Sequence, residues 1–276
     1  MTQNPSIVNG NQRIEQAFAK KRQAFIPFIT AGFPDPESTV ALALALEEAG
    51  CDILELGVPY SDPLADGPTI QSASAEALRH GVTIGRVLEL AGEMRNRGLT
   101  IPIILFTYYN PVLAYGAQKL FSEMEKAGID GILIPDLPFE EAGEVESLSD
   151  KYGLPLISLV APTSRQRVKL IASRARGFLY CVSSLGVTGA RSSLGDHLAS
   201  FLSEVREASP VPVAVGFGIA SREQAEQVAP YSDGFIVGSA LIEKIREASS
   251  LLLAEETRAE GLAAVKTFVK QLQSAV

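Results

Sequence analysis

Residues 52–68 read DILELGVPYSDPLADGP, and the rest of the chain is organised around this stretch. It opens as a strand, because its first apolar residues follow one another without helical spacing. Glu55 interrupts that apolar run, and a carboxylate shielded from water must be paired, protonated or functional. The loop that follows is stiffened by prolines and carries two more acids, Asp62 and Asp66. The stretch therefore predicts a strand that presents one carboxylate close to another held by a loop.

The same unit of strand, loop and helix recurs along the chain. Eight apolar segments predict strands, which begin near Phe25, Asp52, Ile101, Gly131, Pro155, Gly177, Val211 and Gly234. The helical segments between them carry start signals, such as Asp35 before a proline and Ser221 three residues before Gln224. Strands that alternate with helices imply a parallel sheet, and eight such units imply an α/β fold of the (β/α)8 TIM barrel type. An open doubly wound sheet is the alternative, but no Gly-x-Gly-x-x-Gly follows the first strand.

The pattern predicts one (β/α)8 domain over residues 1–276, with residues 1–10 disordered and an extra N-terminal helix over residues 11–22. Two intervals between strand starts are long, from 52 to 101 and from 177 to 211. Both predict long loops after strands, and therefore on the C-terminal face where barrel active sites form.

Composition excludes several classes of function. The net charge of −8 argues against a basic face for nucleic acid. Two isolated cysteines, Cys51 and Cys181, form neither a disulfide framework nor a zinc site and indicate a reducing compartment. No apolar run approaches the ~18 residues that span a bilayer, and the first residues are too polar for a signal peptide. The sequence predicts a cytoplasmic protein.

Glycines at the ends of strands seven and eight predict a phosphate site. Gly218 follows the first of these strands, and Gly238 with Ser239 follows the second. Glycine lets the backbone approach an oxyanion, and a helix N-terminus offers free N–H groups. In barrels these two loops frequently bind phosphate. Gly189, in the loop after strand six, is placed to close over the same group. The alternative is that glycine serves only the turn from strand to helix.

The residues available for catalysis are few. No predicted strand contains lysine, which disfavours a Schiff base, and no histidine or carboxylate cluster has metal-ligand spacing. Three carboxylates remain as candidates: Glu55, Asp66 and Asp136. The alternative for Glu55 is a paired structural carboxylate and for Asp66 an ordinary turn, whereas for Asp136 a structural or lid-tethering role is preferred to catalysis. Tyr180 in strand six is either core or placed to reach a polar group at the barrel mouth.

Aromatic side chains near other strand ends predict an apolar mouth that suits a flat apolar ligand next to a phosphate tail. They are Phe28, Phe106, Tyr108 and Phe217.

Residues 55–71, ELGVPYSDPLADGPTIQ, closely resemble the signature of the tryptophan synthase alpha chain family. Residues 27–32 (PFITAG), 186–189 (GVTG) and 216–219 (GFGI) resemble further motifs of that family. The resemblance covers about residues 12–275. It implies a carbon–carbon lyase that cleaves indole-3-glycerol phosphate to indole and D-glyceraldehyde 3-phosphate in the final steps of L-tryptophan biosynthesis.

The resemblance also implies roles for individual residues. Glu55 matches the general acid and base, Asp66 the carboxylate that accepts from the indole N–H, and Tyr180 a tyrosine near the catalytic glutamate. The phosphate cradle matches Gly189, Gly218, Gly238 and Ser239. The indole pocket matches Phe28, Ile70, Tyr108, Leu133 and Phe217.

A partner follows from the same resemblance. It implies an α2β2 heterotetramer with a beta chain that carries pyridoxal phosphate, and no cofactor in this chain. We expect the contact on the C-terminal face, near the loops that hold Asp66, residues 108–111 and Asp136. The resemblance leaves open whether the chain also acts alone as an indole-releasing lyase.

The residues are consistent with that chemistry. Without lysine or metal, the substrate itself must supply the electron sink, and protonation of indole C3 makes the ring such a sink. Asp66 then stabilises the charge at the ring nitrogen, and burial should raise the pKa of Glu55 so that its acid form persists near neutrality. A sugar-phosphate isomerase or epimerase barrel and a phosphate-sensing regulatory barrel are the competing interpretations.

Overall fold

A computed structural model describes residues 10–20, 23–162, 165–182, 196–216 and 218–273. Eight parallel strands close into a barrel in which each strand pairs with the next along the chain and β8 pairs with β1. The predicted (β/α)8 fold is confirmed, and every strand begins within two residues of its predicted start. The strands are β1 (Ala24–Thr30), β2 (Leu54–Gly57), β3 (Ile103–Phe106), β4 (Gly131–Leu133), β5 (Leu156–Val160), β6 (Leu179–Val182), β7 (Val213–Gly216) and β8 (Gly234–Val237).

Helices surround the barrel and shield its strands from water. They are α1 (Gly10–Phe18), α2 (Pro36–Glu48), α3 (Pro68–Arg79), α4 (Ile84–Asn96), α5 (Tyr109–Tyr115), α6 (Ala117–Ala127), α7 (Gly143–Tyr152), α8 (Arg165–Arg174), α9 (Asp196–Ala208), α10 (Arg222–Val228), α11 (Ser239–Glu247), α12 (Ser249–Leu253) and α13 (Arg258–Gln273). Within the described ranges, every helix is too short or too polar to span a bilayer.

The extra N-terminal helix is α1, which buries Ile14 and Ala17. It begins at Gly10, inside the segment predicted to be disordered; residues 1–9 lie outside the described residues. A Cβ at Gly10 would lie 2.2 Å from the backbone oxygen of Asp130, so the helix can start this close to the strands only with glycine.

The predicted helix starts depend on side-chain caps. Asp35 accepts a hydrogen bond from the Ser38 N–H at 2.8 Å, with a proline in the first helical position of α2. Ser221 and Gln224 form the reciprocal capping box of α10. These local bonds satisfy N–H groups that a helix leaves unpaired at its start.

The long interval between β2 and β3 differs from the prediction of a long loop. Only residues 58–67 connect β2 to the next element, and the extra length forms the additional helix α3. Proline at its first position favours this start. The consequence for the site is that α3 holds Ile70 against the barrel mouth. The second long interval contains residues 183–195, which lie outside the described residues.

Three aspartates stabilise the N-terminal end of the barrel, two of them buried and Asp233 partly exposed. Asp52, Asp130 and Asp233 precede β2, β4 and β8, and each accepts a hydrogen bond from the backbone of the preceding strand. The donors are the N–H groups of Phe25 at 2.9 Å, Ile103 at 2.8 Å and Val213 at 2.9 Å.

Basic side chains from the surrounding segments pair with each of these aspartates. Lys20 binds Asp52, Arg206 binds Asp233 at 2.9 Å, and both Arg13 and Arg95 lie 2.6 Å from the carboxylate oxygens of Asp130. Before β6 the charges are reversed, because Arg176 pairs with Asp150 of α7. At this end of the molecule, charged groups next to four alternate strands have partners of opposite sign.

Candidate active site

A cavity of about 590 Å³ opens at the C-terminal end of the barrel. Its volume is in the range of small-molecule sites. It brings together Glu55, Asp66 and Tyr180, which are far apart in sequence, with the glycines after β7 and β8. The lining residues are Phe28, Glu55, Ala65, Asp66, Gly67, Pro68, Ile70, Phe106, Tyr180, Gly218, Ile219, Ala220, Ile236, Gly238, Ser239 and Ala240.

Glu55 lies in the middle of β2, opposite Phe28 of β1 and Ile104 of β3. Its side chain borders the cavity, yet the residue is only 1% exposed. Within the described part of the chain, Oε1 has no hydrogen-bond partner. Burial raises the pKa of Glu55 to about 8, so the carboxyl is mostly protonated at neutral pH. The site therefore holds a carboxylic acid that can give up a proton.

Asp66 lies in the loop between β2 and α3 and is less deeply buried. Its Oδ2 accepts a hydrogen bond from the Tyr108 hydroxyl at 3.0 Å. Burial raises the pKa of Asp66 to about 6, while the hydrogen bond from Tyr108 acts in the opposite direction. At neutral pH this group is mostly ionised. Two carboxyl groups of one cavity thus have different protonation states, which separates an acid from an anion.

Tyr180 lies on β6 and is 5% exposed. Burial, followed by the charges of Glu55 and Asp66, raises the pKa of its hydroxyl well above the usual value. Tyr180 and the two carboxyl groups line one cavity at this end of the barrel.

Two glycines that the sequence did not point to leave room for side chains that line the cavity. A Cβ at Gly216 would lie 2.2 Å from the Tyr180 hydroxyl oxygen, and one at Gly57 would lie 2.5 Å from Cζ of Phe28. The side chains of Phe28 and Tyr180 occupy the space that a larger residue would take. Both glycines stand in the quoted motifs, but their contacts lie on neighbouring strands.

Three of the predicted phosphate residues border the cavity: Gly218, Gly238 and Ser239. Gly238 is the N-cap of α11 and Ser239 its first residue, and no side chain caps this helix. Its first N–H groups are therefore available for an anion, which the helix dipole also favours. Gly218, with φ of +88°, borders the same region. Gly189 lies outside the described residues.

The predicted indole pocket is only partly represented on the cavity wall. Phe28 and Ile70 border the cavity, as does Phe106, whose ring lies edge-on to that of Phe28 at 5.3 Å. Tyr108 and Leu133 are buried behind it rather than among the lining residues, and Phe217 lies outside the described residues.

Ile236 borders the cavity although the sequence analysis did not select it. The sequence could have indicated it. Alternate residues of a strand face the same side, and Ile236 stands two residues before Gly238 at the end of β8.

Asp136 is separate from this cavity. Its carboxylate accepts a hydrogen bond from the Tyr109 N–H at 2.8 Å and thereby joins the segments after β4 and β3. This contact is consistent with the structural role that was preferred for it.

Comparison with known proteins gives consistent matches. A family model described as "Tryptophan synthase alpha chain" matches residues 14–276. The tryptophan synthase alpha chain of Geobacillus kaustophilus is 57% identical over 248 residues, which cover 90% of this chain and 92% of that protein. The alpha chain of Shouchella clausii is 54% identical over 262 residues, covering 95% and 97%. The crystal structure of tryptophan synthase subunit alpha from Legionella pneumophila aligns with a TM-score of 0.84 at 37% identity, covering 95% of this chain and 97% of that one.

Proposed function

The chain belongs to the tryptophan synthase alpha chain family, and on this premise we propose how its residues cleave the substrate. It is a lyase of tryptophan biosynthesis that acts on indole-3-glycerol phosphate. We assign the proton transfers to Glu55, stabilisation of the developing positive charge to Asp66, and contact with the reacting part of the substrate to Tyr180. The observation that carries this assignment is that one cavity holds both the buried Glu55, whose Oε1 has no partner among the described residues, and Asp66, whose carboxylate is bound by Tyr108.

Binding orients the substrate along the cavity. The phosphate lies at the N-terminus of α11, held by Gly218, Gly238 and Ser239, with Gly189 closing over it. The indole ring lies against the apolar wall that Phe28 and Ile70 line, with Tyr108 and Leu133 packed behind that wall and Phe217 assigned to the pocket by the family resemblance. The uncapped helix and the apolar wall support this orientation, because the cavity offers free helix N–H groups to the phosphate and an apolar surface to the ring.

The first chemical step is protonation of the indole ring. Glu55 gives its proton to C3, which forms a C–H bond and leaves the positive charge at the ring nitrogen. Asp66 accepts a hydrogen bond from that N–H and stabilises the charge as it develops. The raised pKa of Glu55 supports this role, because the acid form is present before substrate binds.

The second step breaks the carbon–carbon bond. Glu55, now ionised, takes the proton of the hydroxyl on the carbon next to C3, and that carbon becomes the aldehyde of glyceraldehyde 3-phosphate. The electron pair of the breaking bond returns to the ring and neutralises it as indole. Glu55 ends protonated, so the cycle closes without a metal or a cofactor.

The family works with a beta chain. We propose an α2β2 heterotetramer in which the beta chain holds pyridoxal phosphate and this chain, acting as one (β/α)8 domain in the cytoplasm, holds none. The contact lies on the C-terminal face, near the loops that carry Asp66, residues 108–111 and Asp136. Leu64, next to these groups, is 91% exposed, which supports an apolar contact there.

Indole release from indole-3-glycerol phosphate by the purified chain tests the proposal. We expect kcat/KM to fall below about pH 6 and above about pH 8, because Asp66 must be ionised and Glu55 protonated. Glu55→Gln should lose about 10²–10⁴-fold in kcat, and Asp66→Asn about 10²–10³-fold.

Asp136→Asn is the matched control, since this acid stands at the same face but outside the cavity, and we expect it to keep most of the activity. A chain that releases no indole, or a Glu55→Gln variant with an unchanged pH–rate profile, would contradict the proposal. An isomerase, an epimerase or a phosphate sensor would give the first of these results.

A further inference from the structure

Tyr108 stands behind the cavity wall rather than in it, and its contacts indicate a more specific role than that of pocket lining. We propose that Tyr108 is a positioning residue for the cleavage reaction, and that its hydroxyl holds the Asp66 side chain towards the substrate. This inference rests on the proposed function, because it concerns how Asp66 performs its part.

The hydrogen bonds of the Tyr108 hydroxyl have only one possible direction. The backbone N–H of Ala65 donates to the hydroxyl oxygen at 3.0 Å, so that the single hydroxyl hydrogen remains for another partner. That partner is Oδ2 of Asp66, also at 3.0 Å. The phenol therefore binds the loop twice, once at the backbone and once at the carboxylate of the next residue.

The phenol ring is itself fixed. Tyr108 is 2% exposed, and its ring packs against Tyr60 at 5.1 Å and edge-on against Phe106 at 6.4 Å between centroids. Asn110 in turn donates to the Tyr60 hydroxyl at 3.3 Å. Because the donor is fixed, its hydrogen bond also fixes the position of the acceptor, the Asp66 carboxylate.

The other contacts of Asp66 fix its backbone rather than its carboxylate. The Asp66 N–H donates to the carbonyl of Pro63 at 3.0 Å, and the Gln71 side chain donates to the Asp66 carbonyl at 2.9 Å. Among the residues that the structure describes, Tyr108 is the side chain that hydrogen-bonds the carboxylate. Removal of its hydroxyl therefore frees the Asp66 side chain and leaves the Ala65 N–H without this acceptor, while the Pro63 and Gln71 contacts still hold the Asp66 backbone.

The charges around this pair indicate the direction of the effect. Burial and the charge of Asp66 raise the pKa of Tyr108, so the phenol stays protonated and remains a donor. Its hydrogen bond favours the ionised form of Asp66, and its loss should raise the pKa of that carboxyl. The other titratable groups that face the pair are Glu55 on β2, Asp136 after β4 and Tyr180 on β6.

Tyr108→Phe keeps the ring and removes only the hydroxyl. Tyr109→Phe is the matched control, because it makes the same change one residue away without a contact to Asp66. We expect kcat of Tyr108→Phe to fall about tenfold with little change in KM, and the deficit to be larger at pH 6 than at pH 8. A rise in KM at unchanged kcat would instead assign Tyr108 to the indole pocket and overturn the proposal.

A second readout is independent of activity. With aspartate carboxyl carbons labelled with ¹³C, the NMR signal that Asp66→Asn removes reports the titration of Asp66. Its midpoint should move upward in Tyr108→Phe and stay unchanged in Tyr109→Phe. An unmoved midpoint in folded Tyr108→Phe would refute the positioning role, even if the chain releases indole as proposed. If the proposed function itself is wrong, the wild-type protein will show no lyase activity, and this result is distinct from an unmoved midpoint.

A reciprocal measurement requires no change at Tyr108 and covers the case in which Tyr108→Phe does not fold. With tyrosine Cζ labelled, the Tyr108 signal of the wild-type chain should shift near pH 6 as Asp66 titrates. That shift should vanish in Asp66→Asn. If the chemical shift of the Tyr108 signal stays constant as Asp66 titrates, the inference is overturned.

Discussion

The two ends of the barrel bury carboxyl groups in opposite ways. At the N-terminal end, the fully buried side chain of Asp130 meets Arg13, Arg95 and a backbone N–H. At the C-terminal end, Glu55 is equally buried but faces no cation, and its Oε1 has no partner in the described part of the chain. The buried carboxylate at the N-terminal end thus has counter-charges that stabilise it. The buried carboxyl at the C-terminal end, where we place the proton transfers, has none among the described residues.

The physical reason is the cost of burying charge. An ionised group removed from water must be paired, or it takes up a proton instead. Asp130 follows the first course: burial raises the pKa of its carboxyl too, but the charges of Arg95 and Arg13 and the hydrogen bond from the Ile103 N–H act in the opposite direction. Glu55 follows the second, and the energetic penalty of its environment becomes a raised pKa. The same strand–helix unit therefore gives a structural acid at one end and a reactive one at the other.

The largest effect on stability should come from removing a paired carboxylate at the N-terminal end of the barrel. Asp130→Ala leaves the Ile103 N–H without its acceptor and two arginines without this counter-charge, Arg95 being only 15% exposed. We expect the free energy of unfolding to fall by about 3 kcal/mol or more, the usual result of removing one partner of a buried ion pair. Denaturant unfolding at neutral pH measures it.

Asp233→Ala is the graded control for that experiment. Asp233 makes the same kind of contacts, but its side chain is 31% exposed and that of Arg206 is 49% exposed. Water can replace part of the lost contacts, and we expect a loss nearer to 1 kcal/mol. Equal losses in the two variants would show that burial does not set the strength of this end.

An intermediate effect, opposite in sign, should come from the unpaired end. The pKa of Glu55 is about 8 in the folded chain and close to 4.5 when unfolded. The folded state therefore holds the proton more tightly, and Glu55 makes the protein less stable as pH rises from about 4.5 to 8. Glu55→Gln removes this dependence and should be more stable than wild type at pH 7, by on the order of 3 kcal/mol.

The comparison of unfolding curves at pH 5, 7 and 9 checks that expectation. The stability difference between Glu55→Gln and wild type should grow across this range and level off above pH 8. A constant difference would mean that Glu55 is ionised at neutral pH, and the contrast between the two ends would disappear.

The smallest effect should come from the pair with reversed charges. Arg176 and Asp150 are each more than half exposed, so Arg176→Ala should cost less than about 1 kcal/mol. The double variant Arg176→Asp with Asp150→Arg should recover most of that loss, and high salt should abolish the difference. A loss as large as that of Asp130→Ala would mean that exposed and buried pairs contribute alike at this end.

Local sequence predicted the elements better than the connections between them. Apolar runs located every strand, because burial on both faces of a parallel sheet demands them. Caps such as Asp35 located helix starts, because the cap bonds involve near neighbours. Helix α3 was predicted as loop, although its proline start at Pro68 was visible. Its buried face consists of the small residues Ala73, Ser74 and Ala77, so no large apolar side chains marked the helix in the sequence.

The sequence by itself determined the barrel, the acids at 55 and 66, and the glycines after β7 and β8, because each depends on residue type and on neighbours along the chain. Only the tertiary structure decided that Glu55 is protonated while Asp66 is ionised and bound by Tyr108, which is 42 residues away. Desolvation and hydrogen bonding depend on which strands close around a side chain. Those neighbours exist only once the ring of strands is complete.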